Sequence, residues 1–258
     1  MTKDECWQKF SKTGCIADYL AYAGFREDAV QQTNSREDYS NTYAGFGKCD
    51  GDDLKSEPIG EYDRRVVILT KERGKVSAFV RGARRPGNRF MASTNPFCFG
   101  EFKLYPGKNA YTLQDIHITN FFEELRNDFV GAYYGIYFME IADYYGRENN
   151  DDKELLKLLY QALRAIIHPS YDNRLVRAVF EIKVIAINGE FPGFFPDMNR
   201  ESTCAYTISY IVQTPVEKLF RFTVTEEVLE ELIRFASRYC DKCMDKTFKS
   251  LEIIKTLG

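Results

Sequence analysis

Nine cations and a single acid crowd into residues 64–91. The cations are Arg64, Arg65, Lys71, Arg73, Lys75, Arg81, Arg84, Arg85 and Arg89, and the acid is Glu72. That window carries +8, whereas residues 1–63 carry −6 and residues 92–258 carry −5. So concentrated a charge attracts a ligand of opposite sign, and the chemistry it offers is neutralisation of phosphates with release of their counterions. Phe79 lies among the cations, and an aromatic face can stack on a base. Nothing else has the spacing of a reactive site. The acid pairs Glu123-Glu124, Asp151-Asp152 and Glu230-Glu231 are chain neighbours, which on a helix do not share a face, so none forms an acid–base dyad. The two histidines, His117 and His168, read as structural. A glycine-rich phosphate loop and a nucleophile elbow are both missing, so no ATP use is expected. Cys240-x-x-Cys243 is one pair on a predicted helix with Cys204 far off in the chain, whereas a structural zinc needs four ligands. No catalytic residue, metal or cofactor is expected.

The elements that must position the cations are strands. Arg64–Thr70 is β-branched and aliphatic, Lys71-Glu72-Arg73-Gly74 has the glycine a tight turn requires, and Lys75–Arg81 alternates. Together they predict a hairpin. Because side chains alternate with period two, Lys75, Ser77, Phe79 and Arg81 share one face while Val76, Ala78 and Val80 point inward. Gly82–Arg89 reads as a mobile loop carrying Arg84 and Arg85, and Phe90 beyond it as a packing residue. Further strands are expected over Phe97–Tyr105 and Tyr111–Ile118, the latter with a register irregularity, and one more at Leu54.

From Asn120 the apolar period lengthens to that of helices. Helices are expected over Phe121–Asp128, Phe129–Tyr145, Lys153–Ile167, Leu175–Ile187, Ser202–Val212, Val228–Met244 and Phe248–Leu257, with a turn of helix at Pro215. Thr223-Val224-Thr225-Glu226 has the pattern of a capping box. The fold class is therefore α+β: a small β-barrel at 54–118, then an all-helical domain at 119–258. Ahead of them, 1–23 reads as a small helical segment and 24–53 as a poorly ordered linker. The 258 residues hold 44% hydrophobic and 28% charged side chains, a globular composition. The acidic start and the lack of a long apolar run predict neither a signal peptide nor a membrane partner. Seven cysteines at irregular spacing, Cys6, Cys15 and Cys49 among them, predict free thiols and a reducing cytoplasmic location.

The run Leu54-Lys55-Ser56-Glu57-Pro58-Ile59-Gly60-Glu61-Tyr62-Asp63-Arg64-Arg65-Val66-Val67-Ile68-Leu69-Thr70-Lys71-Glu72-Arg73-Gly74-Lys75, with Ala78–Pro86 and the later Lys249-Ser250-Leu251, resembles the RecO family of bacterial recombination mediators. The resemblance spans about residues 54–258. It implies an N-terminal OB-fold, a helical C-terminal domain, a nucleoid-associated location, and binding and annealing of single- and double-stranded DNA. It further implies partnership with RecR and with the C-terminal tail of single-strand-binding protein in loading RecA. The tail would occupy a helical-domain pocket with Arg126, Arg164, Arg174 and Arg177 as candidate rim cations. Three departures stand out. Cys49-Asp50-Gly51-Asp52-Asp53 replaces the family's first strand. Residues 1–22, with Trp7, Phe10, Gly14, Tyr19 and Leu20, resemble YqzL-like proteins. The stretch Gly193–Thr203 lacks the two Cys-x-x-Cys pairs that bind zinc in many members. The competing expectation is a protein-only adaptor whose incomplete barrel has little DNA affinity.

Overall fold

The computed structural model describes residues 45–46, 57–59, 61–107 and 110–257. All belong to one compact unit, Asp38–Gly258. The helical segment expected at 1–23, the expected strand start at Leu54, and Cys6, Cys15 and Cys49 lie outside the described residues.

The sheet comprises β1 (Gly45–Phe46), β2 (Glu57–Ile59), β3 (Asp63–Thr70), β4 (Gly74–Val80), β5 (Phe99–Tyr105) and β6 (Tyr111–Asn120). Its path is β1-β3-β4-β6-β5, with β2 also on β3, and only the β4–β6 pair is parallel. Among the described residues the path is open, an OB-like sheet. The place of a first strand is taken by two short pieces. Gly45 and Phe46 pair with Ile68 and Val67, and Glu57 to Ile59 pair with Arg65 to Asp63. Between them the added chain advances eleven residues while β3 advances two, so the pieces are nine residues out of step. A strand therefore exists within the stretch expected to be linker.

The β3–β4 hairpin closes through Gly74 at φ +62°, a backbone setting that glycine adopts without strain. As expected, Val76, Ala78 and Val80 point inward, where they meet Val66, Ile68, Phe102, Leu104 and Leu113 in a small core. The irregularity falls at Gln114: Leu104 faces Leu113 while Lys103 faces Asp115, so β6 carries one extra residue there.

After β4 comes α1 (Phe90–Ser93), and after β6 come α2 (Glu123–Asn127), α3 (Phe129–Tyr145), α4 (Lys153–Ile166), α5 (Asn173–Ile187), α6 (Thr203–Gln213), a 3₁₀ turn (Val216–Lys218), α7 (Glu226–Cys243) and α8 (Lys249–Leu257). Helix α5 is central, buried continuously from Leu175 to Ile185. Ser202 caps α6 by accepting from the Ala205 N–H at 3.1 Å. The expected capping box does not form: α7 starts at Glu226, so Thr225 is its N-cap and makes no side-chain cap bond.

The hairpin turn docks on the α3–α4 connection. The Lys75 N–H donates to the Arg147 carbonyl at 3.1 Å and the Asn149 N–H to the Arg73 carbonyl at 2.8 Å. Leu69 belongs to the helical core, not the barrel core.

Candidate nucleic-acid interface

The hairpin divides the basic window between its two ends. Arg64 and Thr70 stand six residues apart on β3, a separation of about 20 Å at strand rise. At the turn end, Lys75 is committed: its Nζ donates to the Asp143 carbonyl at 2.7 Å and sits 3.0 Å from the Asp143 carboxylate. Lys71 lies 3.5 Å from Glu72, and Arg73 donates to the Tyr111 hydroxyl at 3.3 Å. Lys75 does share the outward face of β4, but that end of the face is closed over by the helices.

At the open end three cations are exposed and Arg64 is half-buried. Arg81, Arg84 and Arg85 are all exposed, and Arg81 and Arg84 form no ion pair among the described residues. The loop expected to be mobile is a chain of hydrogen-bonded turns. The Gly82 N–H donates to the Asp63 carboxylate at 2.8 Å, the Arg84 N–H to the Tyr62 carbonyl at 3.0 Å, and the Arg85 N–H to the Gly82 carbonyl at 3.0 Å. Those bonds aim Arg84 and Arg85 outward, and the Arg85 guanidinium rests 5.1 Å from the centre of the Tyr62 ring. Arg64 donates to the Thr94 hydroxyl at 3.0 Å. Burial, and then the nearby Arg84 charge, hold its guanidinium below the ordinary value. Like charges held so close are relieved by an anion such as phosphate.

Arg89 belongs to neither group: it is bound to Asp115 at 3.0 Å and to the Gln114 carbonyl at 3.1 Å. Phe90 packs against the barrel core, as expected.

Arg65 and Phe79 face each other across β3 and β4, both half-buried and both directed away from the barrel core. Arg65 donates to Ser77 Oγ at 3.3 Å. Phe79 packs into neither apolar core. On β6 it faces Thr112, which in turn faces Tyr105 on β5. Tyr105 is 60% exposed. Sequence reading passed over Tyr105 because it sits beside the Pro106-Gly107 turn, although its alternation with Phe102 and Leu104 already placed it outward.

The helical-domain cations fare differently. Arg177 is 6% exposed and cannot stand at a pocket rim, because α5 is enclosed by its neighbours. Arg174 is held by Asp172 and Glu226, each at 2.7 Å. Arg126 is exposed, with its guanidinium 3.7 Å from Cys98 Sγ. Arg164 is half-buried.

Two profiles match the chain: Recombination protein O N terminal over residues 47–122 and Recombination protein O C terminal over residues 126–209. The chain belongs to the RecO family. Among RecO relatives, the DNA repair protein RecO of Acetivibrio thermocellus is 29% identical over 242 residues, covering 81% of this chain and 96% of the relative. That of Clostridium novyi is 28% identical over 235 residues, covering 79% and 91%. That of Symbiobacterium thermophilum is 34% identical over 143 residues, covering 55% and 56%. The RecO match begins at residue 47, upstream of the Leu54 at which the resemblance in the sequence starts.

Cys98 and Cys204 are buried, and burial pushes the Cys204 thiol up to about 12. Burial likewise pushes Cys240 well above its ordinary value, and a thiol held protonated is a poor metal ligand. Dialysis against a chelator is expected to leave the melting temperature unchanged, with elemental analysis finding far less than one zinc per chain. A tightly held equivalent would overturn that expectation.

Proposed function

We propose that the protein is a non-enzymatic mediator of DNA repair and recombination that binds single- and double-stranded DNA at the open end of the β3–β4 hairpin. The observation that carries this reading is the exposed group Arg81, Arg84 and Arg85 beside Arg64, on the flank of the outward Phe79. Arg84 and Arg85 neutralise phosphates, and Phe79 with Arg65 offers a stacking surface. Lys75, held by Asp143 of α3, Lys71, beside Glu72, Arg73, on the Tyr111 hydroxyl, and Arg89, bound to Asp115, contribute field more than contact. Strand annealing, and RecA loading with RecR and the tail of single-strand-binding protein, follow as the proposed use of the bound strand. Family membership supports these partners. Among the described residues no helix is long and apolar enough to cross a membrane.

A salt titration followed by fluorescence anisotropy tests the binding. Each phosphate neutralised on a single strand adds about −0.7 to the slope of log K against log salt. Changing Arg84 and Arg85 to Ala is expected to flatten that slope by roughly 1.4, with a similar loss on every sequence because phosphate contacts do not read bases. Wild type that fails to bind at low salt, or a double mutant with unchanged affinity and slope, would make this a protein-only adaptor.

A further inference from the structure

Four outward side chains stand in direct register across four adjacent strands. Arg65 on β3 faces Phe79 on β4, Phe79 faces Thr112 on β6, and Thr112 faces Tyr105 on β5. The rung is cation, ring, hydroxyl, ring. Its orientation is fixed by the neighbours of each member. Val66, Ala78, Val80, Leu104 and Leu113 all point into the barrel core, so the residues between them in the alternation must point out. Strands lie about 4.8 Å apart, which puts Phe79 and Tyr105 about 10 Å apart with only the short Thr112 side chain between them. No bulky side chain of the rung fills that gap. The Arg81, Arg84 and Arg85 group follows the C-terminal end of β4, starting two residues past Phe79.

We infer that this rung is the element that selects unpaired bases, with Tyr105 as a second stacking residue beside Phe79. The inference rests on the DNA-binding reading above and adds to it the preference for single over double strands. A duplex presents phosphates to Arg84 and Arg85 but keeps its base faces stacked inside, whereas a single strand offers both. Phosphate contacts therefore serve either substrate, and the two rings serve only the single strand. The shallow hydroxyl between the rings leaves room for a base face over each. No hydrogen-bonding edge is required, so the preference is independent of sequence.

The test uses the full chain with a labelled oligothymidine and a labelled duplex of the same length. Tyr105→Ala is expected to weaken binding of the single strand about tenfold, the size of one lost stacking contact. Duplex affinity and both salt slopes should stay unchanged. Tyr105→Phe should retain single-strand affinity, since the ring and not the hydroxyl does the stacking. Because Tyr105 is exposed, the melting temperature should be that of wild type, which separates a lost contact from a damaged fold. Equal losses on single strand and duplex, or no loss while wild type binds both, would overturn the inference and leave the DNA-binding reading intact. Wild type that binds neither substrate would remove that reading and the inference with it.

Discussion

Gly74→Ala is expected to lower stability by about 3–5 kcal/mol, combining left-handed backbone strain with severe overpacking. A Cβ at this position would lie 2.0 Å from the Arg147 carbonyl oxygen and 2.8 Å from the Asp152 carboxylate. Both belong to the α3–α4 connection. Asp152 is buried, and it accepts from the Arg147 N–H at 3.2 Å and from the Asn150 amide at 2.7 Å. The connection can clear the methyl only by withdrawing from the hairpin. That withdrawal breaks the bond from the Lys75 N–H and strains the ammonium held by Asp143. Gly87→Ala is the control. Its φ is +77°, but nothing lies within 4 Å of the added carbon, so only the backbone cost of about 1–2 kcal/mol remains. Urea unfolding of both variants reads the difference as a shift in midpoint at constant slope. A Gly74→Ala loss no larger than that of Gly87→Ala would mean that the docking is soft. The turn lies at the opposite end of β3 from Arg84, so DNA affinity should survive wherever the variant remains folded.

The same turn shows what was legible in the sequence and what was not. Gly74 at a positive φ, the inward Val76, Ala78 and Val80, a register irregularity within Tyr111–Ile118 and helix α3 from Phe129 to Tyr145 all follow from local periodicity and turn chemistry, and each appears as expected. The destination of Lys75 does not. Alternation places it on the face of Phe79, but only the packing of α3 against the sheet brings Asp143 to it. The loop at Arg84 looked mobile because glycine and proline mark turns without saying what pins them; Asp63 and Tyr62, about twenty residues upstream in the chain, supply the pins. Arg177 looked like a surface cation because charge usually means exposure. Its spacing of four from Glu181, within the otherwise apolar stretch Leu175–Ile182, was the signal that both could be buried as a pair.

That buried pair carries the other large effect: Arg177→Met is expected to cost about 3–5 kcal/mol at neutral pH, the usual penalty for stranding one charge of a buried pair. Glu181 is 1% exposed. Its Oε1 accepts from the Tyr137 hydroxyl at 2.7 Å and lies 3.5 Å from Arg177 Nε, while its Oε2 has no partner among the described residues. Burial raises the Glu181 carboxyl above its ordinary value, and the Arg177 charge is the largest influence opposing that rise. Lys255 opposes it more weakly, and Asp241 adds to it. Met fills the volume of the arginine stem but removes the cation, so the folded-state carboxyl rises further. An acid raised on folding adds stability below its unfolded value, about 4.3, and that stability is lost as pH climbs through the folded value. The penalty of Arg177→Met should therefore shrink toward pH 4 and grow as pH rises toward neutrality. Adding Glu181→Gln to Arg177→Met removes the stranded charge and should recover most of the loss at neutral pH, a coupling that a double-mutant cycle reads directly. A penalty equal at both pH values, with no recovery in the double variant, would show that Arg177 acts through the packing of its stem against α3 and not through its charge.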